Sequence, residues 1–392
     1  MRIDDAQRRA RLAQRHMLAA EHRAAEPTQV ADGIVALHAT NPSSVFLSAV
    51  ARMHQPTVTE VEHALYDDRS LVRMLGMRRT VFVVPTELAP VVQAACTDDV
   101  AVRERRRLVR QLAENGHPEP VPDPEAWLAK VAEDTERALR ARGSATTQQL
   151  ADDVPALRQK LLLSPGKKYE SVSNVASRVV ALLAAEGRIV RGRPRGSWLS
   201  SQYTWEPSDS WLGDLKRWSA DAARVELARR WLRAFGPARV ADLKWWTGWT
   251  MAQTRKALAE VGPVEVELDC GPGIVLPDDL EPVPQPEPWV ALLPELDPTV
   301  MGWHERAFYL GEHRDVVFDS AGNACPTVWA DGRIVGIWGQ RPDGEIVHRL
   351  LTDVGAETLA QVDASIARMG AWLGDVRVVA KFRDPLGRGP AD

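Results

Sequence analysis

The residues whose types and spacing could do chemistry lie in Ala36-Leu37-His38-Ala39-Thr40-Asn41-Pro42. An imidazole and a hydroxyl stand two residues apart in an otherwise apolar run. A buried polar group left unpaired costs roughly 1–3 kcal/mol, so both need partners. Local backbone groups are one set of partners. The other reading has His38 and Thr40 face a cleft and handle a water molecule. A neutral histidine accepts a proton near pH 7, and a threonine hydroxyl can place the water. A second pair, Asp297 and His304, sits in Leu296-Asp297-Pro298-Thr299-Val300-Met301-Gly302-Trp303-His304. The alternative there is a turn in which Asp297 caps the backbone.

The elements that must position these groups follow from pattern and punctuation. A helix capped by Thr28 runs toward His38, breaks at Asn41-Pro42, and restarts with Ser43-Ser44 as cap. This leaves His38 and Thr40 at a helix end or bend. Residues 1–25 read as an Arg-rich helix or arm whose Arg8, Arg9, Arg11 and Arg15 face solvent or phosphate. Thr57-Val58-Thr59-Glu60 has the pattern of a capping box. The β-branched run Val81–Pro85 reads as a strand. Residues 1–115 thus form a first unit.

Prolines at 118, 120, 122 and 124 mark a linker into a second unit, 116–207. Its order is helix from Pro124 to Arg142 ending at Gly143, short helix after Thr146, helix Val175–Glu186 capped by Ser171–Asn174, strand, turn and strand. That is the order of a winged helix, with Arg191, Arg193 and Arg195 at the wing tip, where a wing can lie on a DNA backbone. A third unit, 208–286, repeats the order with an acidic wing suited to a scaffold role. From residue 287 to 392, short strands joined by Asp331-Gly332 and Asp343-Gly344, a helix near Ala356–Leu373 and a closing strand at Val376–Phe382 suggest a small β-barrel. The expected fold class is α+β: tandem winged-helix domains followed by a small C-terminal β-barrel.

Charge narrows the function classes. The net charge is −4, but residues 101–200 carry 18 lysines and arginines against 12 acids, while residues 261–300 carry nine acids and no base. The basic stretch reads as a binding face or as solvated helix surface. Lys167 and Lys168, within that stretch, and Arg78 and Arg79, before the Val81 strand, join the wing arginines as candidate DNA contacts. The 14 tryptophans crowd the chain from Trp198 onward, Trp127 excepted, and read mostly as core. Cys96, Cys270 and Cys325 show no paired spacing, which argues against a disulfide framework or zinc and fits a reducing cytoplasm. No histidine cluster suggests a metal site, so no metal and no cofactor is expected. No apolar run approaches the ~20 residues of a membrane span, and no signal core opens the chain. No coiled-coil stripe for dimerisation is visible, so a monomer is expected.

Several motifs, in their order along nearly the whole chain, carry a family resemblance. They are Leu37-His38-Ala39-Thr40-Asn41-Pro42, Met77-Arg78-Arg79-Thr80-Val81-Phe82, Phe235-Gly236-Pro237-Ala238 with Trp245-Trp246, Leu296-Asp297-Pro298, and Asp331-Gly332-Arg333-Ile334-Val335-Gly336. Together they resemble the winged-helix DNA glycosylases of the AlkZ and YcaQ (AlkX) type. The resemblance implies tandem winged helices, a C-terminal β-barrel, double-stranded DNA as partner, and excision of bulky alkylated purines including crosslinks. The family's Gln-x-Gln or Gln-x-Asp pair falls on His38 and Thr40, and Phe82 stands where the family often has histidine. An N7- or N3-alkylated purine leaves as a cation-derived neutral base and needs no proton, so holding a water below C1′ is the task. No lysine lies near the motif in sequence, which points to monofunctional hydrolysis. A DNA-binding regulator or damage sensor without catalysis is the alternative, since a fold alone fixes no function.

Overall fold

The computed structural model describes residues 1–213, 217–382 and 385–386. Three hydrophobic cores organise them. The largest gathers residues from Leu12 to Cys96, from Val190 to Leu276, and from Trp289 to Leu373, so the first unit, the third unit and the C-terminal sheet share one interior, which Val190 and Trp198 of the second unit join. The second unit has its own core, from Leu108 to Trp205. A small third cluster joins Ile3 to Val266, Leu268 and Val275. Ten of the tryptophans from Trp198 onward are buried, as the sequence suggests.

In the first unit a three-stranded antiparallel sheet places Leu37–His38 beside Val81–Pro85, which also pairs with Leu71–Leu75. The helix before His38 is shorter than expected. It runs Pro27–Gly33, with Glu26 rather than Thr28 at its cap. The chain then turns sharply: Ala36 N–H bonds the Ile34 carbonyl at 2.8 Å, with Val35 between them at φ +67°. A β-branched residue in that region is a true backbone outlier, and the turn delivers His38 into a strand instead of a helix end. Pro42–Val50 is a helix buried on all sides, the mark of an element at the centre of a large core. Its cap position is Asn41, not Ser43-Ser44. The Thr57–Glu60 capping box forms as expected.

In the second unit, helices Pro124–Arg142, Thr147–Asp153 and Ala176–Ala185 precede the hairpin Ile189–Pro194/Tyr203–Pro207. Ser171–Asn174 is no cap. It is a strand paired with Lys160–Leu163, and this hairpin stands between the second and third helices. Alternating Ser-Val-Ser-Asn satisfies a ladder as well as it would a helix start. In the third unit, helices Ala220–Phe235, Val240–Thr247 and Met251–Val261 lead to the hairpin Val264–Leu268/Gly271–Val275. The N-terminus engages this hairpin: Ile3 N–H bonds Glu267 O, Glu267 N–H bonds Met1 O, and Arg2 pairs with Asp269 at 2.8 Å.

The Arg-rich helix Asp5–Arg15 faces neither solvent nor phosphate throughout. Arg8 and Arg11 are 3% and 1% exposed. Arg11 donates to Glu281 O at 2.6 Å, Arg15 pairs with Asp279, and Arg8 lies over the Phe308 ring. Asp279 is therefore the counter-charge that the stretch after residue 276 offers to the N-terminal helix, and backbone carbonyls supply the other contacts.

The C-terminal unit is a four-stranded antiparallel meander, Val290–Leu293, Thr327–Ala330, Arg333–Gln340 and Ile346–Leu350, with helix Gly355–Leu373 against it. Among the described residues no closed barrel forms. Four short strands are too few to close a sheet on itself. The expected closing strand, Val376–Phe382, joins no ladder; side chains hold it instead. Gln340 bonds Val376 O and Val378 N, and the Glu295 carboxylate accepts from Lys381 N and Phe382 N. No helix is long and apolar enough to cross a membrane among the described residues.

Candidate active site

His38 is 5% exposed, and its Nδ1 is buried without a hydrogen-bond partner. Its ring meets Phe82 edge-on, 5.2 Å between centroids. This follows from register, since His38 pairs with Phe82 across the sheet. Burial pushes the imidazole pKa down to about 3; the nearby charge of Arg78 pushes the same way, and Asp297 opposes. The ring is therefore neutral at neutral pH, which corrects the expectation of a base titrating near pH 7. Thr40 is half-buried at the bend.

The backbone around the pair is fixed from both sides. Ala39 N–H bonds Val81 O at 2.9 Å, and Arg73 Nη1 donates to Ala39 O at 3.1 Å. Asn41 Nδ2 reaches Glu295 and the Val379 carbonyl. Glu295, 2% exposed, thus ties the bend to the C-terminal segment. Burial raises its pKa against the pull of the hydrogen bonds from Lys381, Asn41 and Phe382.

Asp297 and His304 do not form a catalytic pair. Asp297 is fully buried and accepts from Arg52 Nη1 and Nη2 (2.9 and 2.7 Å), Ser48 Oγ (2.7 Å) and Thr299 N (2.9 Å). Burial alone would raise its pKa, but Arg52 and these hydrogen bonds carry it below the usual range. Leu296, at φ +58°, turns it inward. Thr299 Oγ1 extends the network to His16 Nδ1 at 2.7 Å. His304 is exposed; its backbone N–H bonds Asp242 and its ring lies 6.1 Å from that of Trp245.

Arg78 and Arg79 lie on the turn between the strands Leu71–Leu75 and Val81–Pro85, closed by Gly76 N–H to Thr80 O at 2.8 Å. Both adopt left-handed backbone, φ +52° and +60°. Such strain persists only where surroundings enforce it and clusters at working sites. Gly248, itself at φ +77°, packs on Arg78 so closely that a Cβ would stand 3.3 Å from its side chain. The Arg78 guanidinium lies 4.0 Å from the Trp245 ring centroid, and Arg306 approaches the same ring at 4.9 Å. Burial, then the charge of Arg306, lowers the Arg78 pKa to about 10. Arg306 is 7% exposed with Nε and Nη2 unpartnered; no spacing signal singles it out. Arg79 is exposed and pairs with Glu104 at 3.0 Å.

The wing arginines are not equivalent. Arg191 is not at a tip; it is tucked against Tyr203 and Trp205 because the strand continues to Pro194. Arg193 is exposed but pairs with Asp67 at 2.7 Å. Arg195 is exposed in the loop beyond. Lys167 and Lys168 are exposed at the end of the Lys160–Leu163/Ser171–Asn174 hairpin, next to Tyr169, which is 72% exposed. Among the described residues no three His, Cys, Asp or Glu side chains gather as a metal site.

No curated protein matches the chain. Among solved structures it superimposes on the Streptomyces sahachiroi DNA glycosylase AlkZ with a TM-score of 0.70 at 20% identity, covering 98% of this chain and 100% of that one. The DNA glycosylase AlkZ-like family matches residues 31–372. The chain belongs to the AlkZ-like DNA glycosylase family.

Proposed function

We propose that this protein is a monofunctional DNA repair glycosylase that hydrolyses the N-glycosidic bond of bulky alkylated purines, N7-alkylguanine and N3-alkyladenine, with crosslinked purines in the same class. The observation that carries the reading is a buried, neutral imidazole with a free ring nitrogen, two residues from a half-buried threonine, in a bend braced on both sides.

A neutral His38 orients a water through hydrogen bonding rather than by deprotonating it outright, because a base of pKa about 3 is weak at neutral pH. Thr40 supplies a second polar contact. The alkylated purine already carries the positive charge that makes it leave, so the site has little protonation to do. Arg78, Arg79, Lys167, Lys168, Arg193 and Arg195 contact phosphates in this reading, the last four on the second unit. Their contribution is electrostatic and salt-dependent.

The fold does bring one lysine toward the bend: Lys381 N–H bonds the carboxylate that holds Asn41, and its side chain is exposed. Borohydride trapping distinguishes the two outcomes, and no trapped adduct is expected.

The test is release of N7-alkylguanine from a duplex by the purified protein, His38→Ala and Thr40→Ala. Loss of a positioned polar group should slow His38→Ala about a hundredfold or more. DNA binding without base release by the wild type would favour the non-catalytic DNA-binding alternative.

A further inference from the structure

A cavity of about 320 Å³ lies where three elements meet: the end of helix Pro42–Val50, the edge strand Val290–Leu293 of the C-terminal sheet, and helix Gly355–Leu373 packed on that strand. Its apolar walls include Leu292, Met369 and Trp372. The indole of Trp372 is fixed by its N–H, which donates to the Pro56 carbonyl at 2.8 Å. The volume falls in the range of small-molecule sites, where a few polar groups orient an apolar body.

The charged groups on these walls are all basic. Arg23, His54 and Arg368 line the cavity, and no aspartate or glutamate does among the described residues. Arg23 is half-buried with its Nε enclosed in protein, and among the described residues its guanidinium makes no hydrogen bond or ion pair. Arg368, exposed at the rim, donates to Ser365 Oγ at 2.8 Å. Burial, then the charge of Arg368, lowers the Arg23 pKa, and no acid offsets the two. The carboxylates nearby in the chain turn elsewhere: Glu21 lies 3.9 Å from His22, and Asp363, on the helix of Arg368, lies 3.8 Å from His348. The last turns of both helices line the cavity and carry partial negative charge. That steadies the arginines without satisfying a single donor of Arg23.

An enclosed donor without a partner, beside a second like charge, is costly unless an anion completes it. We propose that this cavity binds a small amphipathic carboxylic acid, its carboxylate held by Arg23 and Arg368 and its flat apolar body laid against Trp372 and Met369. A guanidinium fork meets both oxygens of a carboxylate at once. An indole and a thioether both favour an aromatic ring as neighbour. The proposal does not depend on base release.

The experiment is calorimetric titration of the full chain with 2-naphthoate, and with 2-naphthamide as an uncharged ligand of the same shape. It is run on wild type, Arg23→Met, which keeps the apolar stem, and Arg368→Gln, at an exposed position that leaves the core untouched. The wild type should bind 2-naphthoate about tenfold more tightly than 2-naphthamide. Arg23→Met should lose about tenfold in affinity for 2-naphthoate and none for 2-naphthamide, a contrast that a damaged fold would not give. Arg368→Gln should lose about threefold for 2-naphthoate, less because its charge stands nearer to water. Equal affinity for the two ligands, undiminished affinity for 2-naphthoate in both variants, or no binding of 2-naphthoate by the wild type overturns the proposal. Weakened duplex binding in Arg23→Met without 2-naphthoate binding by the wild type assigns the arginine to DNA and overturns it as well.

Discussion

Two buried histidines should make this protein acid-sensitive by an amount the structure sets. His16 and His38 both have pKa values pushed from the ordinary 6.5 down to about 3, chiefly by burial. His16 spends Nδ1 on the Thr299 hydroxyl and Nε2 on the Ala234 carbonyl, so it too is held neutral. Unfolding frees both rings to bind protons below pH 6.5, which the folded state refuses until near pH 3. Stability is then present above 6.5 and is lost as pH falls through the window between those values. Moving from about pH 7.5 to about pH 5.5 should cost roughly 1–2 kcal/mol for each histidine and roughly 3 kcal/mol for the pair. Carboxylates add little in that range, because their ordinary values lie below it. Urea unfolding at the two pH values, on wild type, His16→Gln and His38→Gln, measures it. Each variant should remove about half of the pH-dependent loss, whatever it does to absolute stability. Wild-type pH dependence in both variants would refute the argument that these rings are neutral when folded.

Other consequences are as direct. Asp297→Asn leaves Arg52 charged in a fully buried site, and should cost about 3–5 kcal/mol in denaturant unfolding. Base release by the folded enzyme should show no inflection at an ordinary histidine pKa, because His38 does not titrate there. Arg78→Ala should weaken duplex binding and make its salt slope shallower by about one, measured by anisotropy against potassium chloride. Glu295→Ala should release the amides of Lys381 and Phe382, read as faster hydrogen exchange at the C-terminal segment.

Local signals in the sequence were readable because neighbours decide them. The Thr57–Glu60 box and the Pro124–Arg142 helix ending at Gly143 both form where the pattern places them. The Asp331-Gly332 turn joins its two strands with both residues at positive φ. The candidate pair His38 and Thr40 was visible as polar residues in an apolar run, but its setting was not. The positive φ of Val35 has no composition signal, and it makes the bend a strand. Asp297 finds Arg52 across 245 residues of chain, and the Arg11 charge is met by carbonyls near residue 280. Those partners depend on packing at a distance, which periodicity does not encode. Barrel closure failed for the same reason, since the segment after Val376 found side-chain acceptors before it found a strand.

The distinct core that runs from Leu108 to Trp205, apart from Val190 and Trp198, has a further consequence. Oil sealed into two compartments melts in two steps, so heat should loosen the half bearing Lys167 and Lys168 independently of the half bearing His38. Damage to one compartment, such as trimming Leu128 or Leu183, would then spoil grip on a duplex while leaving the braced imidazole in place. Affinity and bond cleavage become properties that can be lost one at a time.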